Sequence, residues 1–395
     1  MNNTPRGERL HIGIFGKRNA GKSSLLNSLT GQDIAVVSPT KGTTTDPVYK
    51  AMEIPPVGPV LLIDTAGIDD SGELGSLRTG KTKDVSRKTD VALLVVDSRE
   101  GLSDDDRQLI TFFDATQVKY LIVYNKSDLK KNPSPDGMSV SCETGENIDA
   151  LKEKIAELGK TAEEPEHLVA DLIRAEDVVA LVVPIDESAP KGRLILPQQQ
   201  VIRDILEAGA IAIVTRDSEY PQTLKKLSAP PKLVITDSQV FGKIAGETPD
   251  NIALTSFSIL MARYKGVLES AVSGAKIIDT IEDGDTILIS EACTHHRQCD
   301  DIATVKLPLA LENYTGKKPA YEFTCGTAFP GDLSPYKLII HCGGCMLNRR
   351  EMMYRDHLAR EAGVPMTNFG VALSYTRGIL ERCVAPCLSK MPVQK

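Results

Sequence analysis

Residues 10–30 read LHIGIFGKRNAGKSSLLNSLT, and the expected fold of the N-terminal part turns on this stretch. Leu10 to Phe15 is a strand-length apolar run, GKRNAGKS at 16–23 fits G-x-x-x-x-G-K-[ST], and the following residues keep helical spacing up to Gly31. A glycine-rich turn between a strand and a helix is where backbone N–H groups wrap phosphates, a lysine reaches the β and γ oxygens and a serine ligates magnesium. Gly16, Gly21, Lys22, Ser23 and Ser24 are therefore nucleotide-binding candidates, with Lys22 also catalytic and Ser23 a magnesium ligand.

Three more motifs follow at the ends of apolar runs. DTAG at 64–67 closes the run 60–63; Asp64 would hold magnesium and the Gly67 N–H would sense the γ-phosphate. NKSD at 125–128 closes the run 120–124 and offers Asn125, Lys126 and Asp128; the Asp128 carboxylate accepts from the paired N1 and N2 donors of guanine, which adenine lacks, so the motif selects GTP. SCE at 141–143 follows the run 138–140, and Ser141 and Cys142 would complete the base pocket through backbone amides. Within SPTKGTTTDP (38–47), Thr44 is the candidate that meets magnesium only when the γ-phosphate is present, with Thr43 and Thr45 as one-residue alternatives. Apolar runs alternating with helix-length segments predict an α/β domain with a mainly parallel sheet over residues 1–160.

Composition bounds the rest. At 395 residues the chain holds about two to three domains. With 41% hydrophobic and 25% charged residues, it is neither fibrous nor wholly disordered. The 46 Lys and Arg against 53 Asp and Glu leave a net charge of -7, which gives nucleic acid no support as a partner. No apolar run reaches the ~18 residues that span a bilayer, and the N-terminus MNNTPRGERL has no apolar export core, so a cytoplasmic location without membrane attachment is expected. GKTAEEPEH at 159–167 reads as a charged linker. Two smaller α/β blocks are expected after it, over 161–270 and 271–395, with a long helical pattern from Ser258 to about Lys276 between them.

Eight cysteines in a chain of this class read as reduced thiols, some of them metal ligands. Two clusters stand out: EACTH at 291–295, ending the run 286–290, and HCGGC at 341–345, ending the run 338–340. Both leave carboxyl ends of strands, the edge where ligands collect in an α/β sheet, so they can meet. The helical run after Cys345 places Cys342 and Cys345 at a helix N-terminus whose N–H groups favour thiolate. Cys293, Cys342 and Cys345, flanked by His295 and His341, suit zinc or an iron–sulfur cluster, against the plainer reading of buried, unligated thiols. Glu291, His295 and His341 are candidates for a fourth ligand or for a supporting role. Cys299, Cys325, Cys383, Cys387, His11, His167 and His357 are read as structural or solvated.

Asn19 in the P-loop together with the GTT-D stretch resembles the potassium-dependent GTPases related to TrmE, which implies that the Asn19 side chain holds a monovalent cation beside the phosphates. The residue after DTAG is Ile68, where Ras-like proteins place a catalytic glutamine, so slow intrinsic turnover is expected. A TrmE-like domain, a middle block carrying PKGRLILPQQQ (190–200) and a C-terminal C-x-H…H-C-x-x-C resembles the FeFe-hydrogenase maturation GTPase (HydF) family over essentially the whole chain. That resemblance implies a homodimer through the middle block and a 4Fe-4S cluster on Cys293, Cys342 and Cys345. It also implies a scaffold that takes a diiron precursor from radical-SAM maturases and delivers it to apo FeFe-hydrogenase. PKGRLILPQQQ offers a strand-like edge for pairing with a symmetry mate. The competing reading is an RNA or ribosome-assembly GTPase with a structural zinc module.

Overall fold

The computed structural model describes residues 4–32, 48–65, 85–130, 136–160, 167–185, 194–292, 301–326 and 328–388. The chain divides into two compact units, Met1–Glu163 and Glu164–Lys395.

The first unit is a six-stranded sheet. Its strands are β1 (Leu10–Phe15), β2 (Val48–Ile54), β3 (Gly58–Asp64), β4 (Val91–Asp97), β5 (Lys119–Asn125) and β6 (Gly137–Ser139), in the order β2-β3-β1-β4-β5-β6. All pairings are parallel except β2 with β3. β1 and β4 read as unbroken apolar runs because helices cover both faces of the sheet. Leu25, Leu29, Leu151 and Ile155 from helices Lys22–Thr30 and Ile148–Gly159 pack with Ile12 and Ile14 on one face, and Phe113 of helix Asp104–Ala115 packs with Phe15 and Leu94 on the other. This arrangement brings the carboxyl ends of β1, β3, β4 and β5 to one edge. Sequence reading missed β2, an antiparallel edge strand whose residues are mostly half-exposed and carry no continuous apolar signal.

The second unit holds two parallel four-stranded sheets. One is ordered β10-β9-β7-β8, from β7 (Val178–Val182), β8 (Ile211–Thr215), β9 (Leu233–Thr236) and β10 (Ala253–Ser256). The other is ordered β12-β11-β13-β14, from β11 (Thr286–Glu291), β12 (Ala320–Cys325), β13 (Leu338–His341) and β14 (Met366–Asn368). One apolar cluster runs through both, including Val179, Ile235, Leu260, Ile287, Ile340 and Phe369.

Three expectations are corrected here. The pattern from Ser258 to Lys276 is two helices, Phe257–Tyr264 and Leu268–Ala275, because Gly266 takes φ +78° and ends the first. The described part of PKGRLILPQQQ is not a strand: Leu196 opens helix Leu196–Glu207, with Pro197 in its first turn and the Gln198 side chain accepting from the Ile195 N–H. The helix after the second cysteine cluster starts at Arg349 with Asn348 as N-cap, so Cys342 and Cys345 lie in the loop before it rather than at its N-terminus.

Candidate functional site

In the first unit, the loop between β1 and helix Lys22–Thr30 turns through Gly21, which has φ +96° and lies so close to the Asn125 amide that a Cβ would sit 2.1 Å from its nitrogen. The Lys22 ammonium donates to the carbonyls of Gly16 and Lys17, inside the loop that a phosphate would fill. Ser23 and Ser24 are exposed on the first helical turn. The NKSD segment is tied to this loop at two points: Asn125 Nδ2 donates to the Ala20 carbonyl at 3.1 Å, and Lys126 Nζ donates to the Asn19 carbonyl at 2.7 Å. Ser141 Oγ donates to Asp128 Oδ1 at 2.6 Å, and the Cys142 N–H donates to Asn125 Oδ1 at 3.3 Å. The phosphate loop and both base-pocket motifs are therefore one hydrogen-bonded edge. Asp64 ends β3 on that edge, half-buried. Thr44 and Gly67 lie outside the described residues.

Sequence reading missed Asp97, the last residue of β4. Its carboxylate accepts from Arg99 Nη2 at 2.7 Å and from Lys126 Nζ at 2.8 Å, so it orients the lysine of NKSD. The Arg99 hydrogen bonds, ahead of those from Lys126, hold this carboxyl well below the usual carboxylate range. A charged residue ending an otherwise wholly apolar strand was the available signal.

In the second unit, β11 and β13 run parallel with Ser290 opposite His341, so Glu291 and the loop 342–345 leave the sheet side by side. Cys342 Sγ accepts from the Ala292 N–H at 3.0 Å and from the Gly344 N–H at 3.4 Å. Gly344 has φ +68° and no room for a Cβ, which would meet Met352 Sδ at 2.6 Å. Burial, followed by the neighbouring Cys345, pushes the Cys342 thiol up to about 12, and burial also raises Cys345. Buried Lys265 opposes the rise at Cys345. Glu291 is buried beside them. Cys293 and His295 lie outside the described residues, and among the described residues no group of three or more His, Cys, Asp or Glu side chains has metal-site geometry. The donor chemistry fits a thiolate-bound cluster: two thiols three residues apart, with backbone N–H groups already directed at one sulfur, where negative charge would accumulate on ligation.

His341 is a candidate for a fourth ligand or for a supporting role. It is 1% exposed, its Nδ1 lies 2.8 Å from the Cys342 carbonyl and its Nε2 lies 3.0 Å from Arg355 Nη1. A guanidinium only donates, so Nε2 is the acceptor and Nδ1 carries the hydrogen that goes to the carbonyl. Burial, and then the Arg355 charge, lower the imidazole pKa to about 3. In this arrangement one ring nitrogen meets Arg355 and the other the Cys342 carbonyl, which matches the supporting placement of the two. Arg355 itself is fully buried between Glu351 and the ring of Phe329. Of the cysteines set aside, Cys383 and Cys387 are buried core thiols and Cys325 is exposed. His11 is buried, with both ring nitrogens against backbone carbonyls.

Comparison with known proteins gives three matched stretches. Residues 11–126 match a family described as 50S ribosome-binding GTPase. Residues 168–266 match the hydrogen maturase F dimerization domain, and residues 269–386 match the hydrogen maturase F tetramerization domain. The chain is 36% identical over 169 residues to the tRNA modification GTPase MnmE of Dichelobacter nodosus, a match covering 41% of this chain and 37% of that one. It is 36% identical over 165 residues to GTPase Der of Wolinella succinogenes, covering 37% of this chain and 35% of that one. The chain therefore spans about a third of the length of these curated relatives. A solved structure of Era from Aquifex aeolicus, bound to GDP and AlF4, is similar at 20% identity and a TM-score of 0.33, covering 52% of this chain and 92% of that one.

Proposed function

Because the chain belongs to the hydrogen maturase F family, we propose that it is a GTP-hydrolysing scaffold that holds a 4Fe-4S cluster on Cys293, Cys342 and Cys345 and passes a diiron subcluster to apo FeFe-hydrogenase. The observation that carries the reading is the pairing, in one chain, of a hydrogen-bonded guanine-nucleotide edge with a half-buried C-G-G-C loop whose Cys342 sulfur accepts from backbone N–H groups. In the first unit, Lys22 neutralises β- and γ-phosphate charge, Ser23, Asp64 and Thr44 hold magnesium, and Gly67 reports the γ-phosphate. Asp128 selects guanine, with the Ser141 hydroxyl bonded to it holding its orientation. The Asn19 side chain, exposed on the loop, takes potassium. When bound, the cluster supplies an iron site with one non-cysteine position open to an incoming ligand. The chain's own residues half-bury Cys342 and Cys345, and Glu291, His295 and His341 are the candidates for that position or for its support.

Radical-SAM maturases and apo-hydrogenase are the proposed partners, and the assembly is a homodimer built through residues 168–266. No described helix is long and apolar enough to cross a membrane. The test uses Lys22→Ala and Cys345→Ala, with phosphate release and iron content measured on the same anaerobic preparation. The expected result is loss of hydrolysis alone in the first and loss of iron alone in the second. Colourless, zinc-loaded wild-type protein would overturn the reading in favour of a ribosome-assembly GTPase with a structural zinc.

A further inference from the structure

The second unit contains a cavity of about 590 Å³ that, among the described residues, none of the candidate nucleotide or iron residues lines. It opens at the carboxyl end of β9, bounded by Ser238 and Gln239 just after that strand, by Lys306 and Asn313 around helix Leu307–Thr315, and by Arg377 beyond helix Phe369–Tyr375. In the sheet order β10-β9-β7-β8, the chain steps from β7 to β8 on one side and to β9 on the other. The cavity therefore stands outside the strand that starts the second direction, where open α/β sheets collect ligands.

Three of the groups facing this cavity can donate to a ligand: the Arg377 guanidinium, the Lys306 ammonium and the Ser238 hydroxyl. Arg377 makes no hydrogen bond or ion pair with any described residue, and burial lowers its pKa with no carboxylate among the causes. Ser238 is 5% exposed as a residue, and its hydroxyl also has no partner among the described residues. Lys306 Nζ donates to Gln239 Oε1 at 2.7 Å, which uses one of its three protons. Among the described residues no Asp or Glu lines the space; Asp279 accepts from the hydroxyls of Tyr314 and Tyr375 instead. The guanidinium is also held from behind. It lies against Gly242, where an added Cβ would sit 3.0 Å from Nε and 3.2 Å from Cζ, so a larger residue there would push the guanidinium by a few tenths of an ångström. An exposed cation with no partner among the described residues, the hydroxyl of Ser238 and a second cation with protons to spare border one space and can converge on an acceptor.

We propose that this cavity binds a small oxyanion, a phosphate- or carboxylate-bearing molecule held by Arg377, Lys306 and the Ser238 hydroxyl. The site lies wholly within residues 164–395 and does not depend on the nucleotide or cluster assignments.

The test is isothermal titration of the full chain with inorganic phosphate and, separately, citrate. GDP and magnesium are kept saturating so that the P-loop is filled, and sodium chloride at matched ionic strength is the reference. Saturable binding above the chloride reference is expected for at least one anion. A tighter phosphate identifies a phosphate-bearing ligand, and a tighter citrate a carboxylate-bearing one. Arg377→Gln should weaken that binding by about tenfold or more, and Ser238→Ala by roughly threefold, the ranges for a charged and a neutral hydrogen bond. Arg377→Lys, which keeps the charge but loses the planar fork, should weaken it less than Arg377→Gln and keeps the test open if Arg377→Gln fails to fold. No saturable binding of either anion, or affinities unchanged in the folded variants, overturns the proposal.

Discussion

Arg355 is the side chain on which the cysteine loop rests most heavily, and its replacement is the most informative perturbation. It is fully buried; its Nε donates to Glu351 Oε1 at 3.1 Å and its Nη1 donates to His341 Nε2 at 3.0 Å. Nη2 lies 3.0 Å from Glu351 Oε1 but is not aligned for a hydrogen bond, and Glu351 Oε2 has no partner. The pair is therefore buried and only partly satisfied, the condition in which removing one charge strands the other. Arg355→Met leaves a buried, uncompensated Glu351 and should destabilise the second unit by about 3–5 kcal/mol. The double variant Arg355→Met, Glu351→Leu strands no charge and should recover most of that loss, giving a coupling of the order of 2–3 kcal/mol. The chain has no tryptophan, so urea unfolding is followed by circular dichroism and by tyrosine fluorescence together. Two probes are needed because two units unfold in one chain. A single variant costing less than about 1 kcal/mol, or a double variant as unstable as the sum of its parts, would refute the claim that the network is a mutually dependent charge pair.

Three further outcomes follow from the two sites. Potassium should accelerate GTP hydrolysis relative to sodium by about tenfold or more, and Asn19→Ala should erase the difference, because the proposed cation stands in for charge that an arginine finger supplies elsewhere; equal rates in the two salts for the wild-type protein would remove the potassium assignment. Asp97 has a depressed folded-state pKa, so its contribution to stability is fully present above its unfolded value of 3.8 and declines as pH falls below it. Asp97→Asn should flatten that acid limb and loosen guanine-nucleotide binding by roughly fivefold through Lys126, a change of about 1 kcal/mol read by titration with GDP at pH 7. Cys342→Ala should abolish iron binding, whereas His341→Asn should retain most of the iron and leave any histidine-nitrogen coupling in pulsed paramagnetic resonance unaltered; loss of that coupling in His341→Asn would restore His341 as a ligand.

What could be read from the sequence was whatever sits in contiguous stretches. GKRNAGKS, DTAG, NKSD and SCE each lie within four to eight residues of chain and follow apolar runs, so the nucleotide edge could be laid out before any coordinates were known. The six residues of β1 and the seven of β4 lie between covered faces, and burial on both faces writes itself directly as apolar sequence. The role of His341 was not legible for the opposite reason. Its partner is 14 residues away, on helix Arg349–Glu361. The stretch RREMMYRDHLARE reads as a charged surface, and periodicity alone does not mark Arg355 as buried while Arg360 stays largely exposed. Long-range covering was hidden in the same way. Helix Leu380–Leu388, at the far end of the chain, packs on the sheet of β7–β10: Arg382 donates to the carbonyls of Ala245, Thr248, Pro249 and Ile252, and Cys387 meets the Thr255 hydroxyl. Residues 164–270 expressed alone would thus leave part of β10 uncovered and four carbonyls without their guanidinium. Any dimer formed by such a fragment would report that exposed face as well as the native interface, so the oligomeric state has to be measured on the full chain.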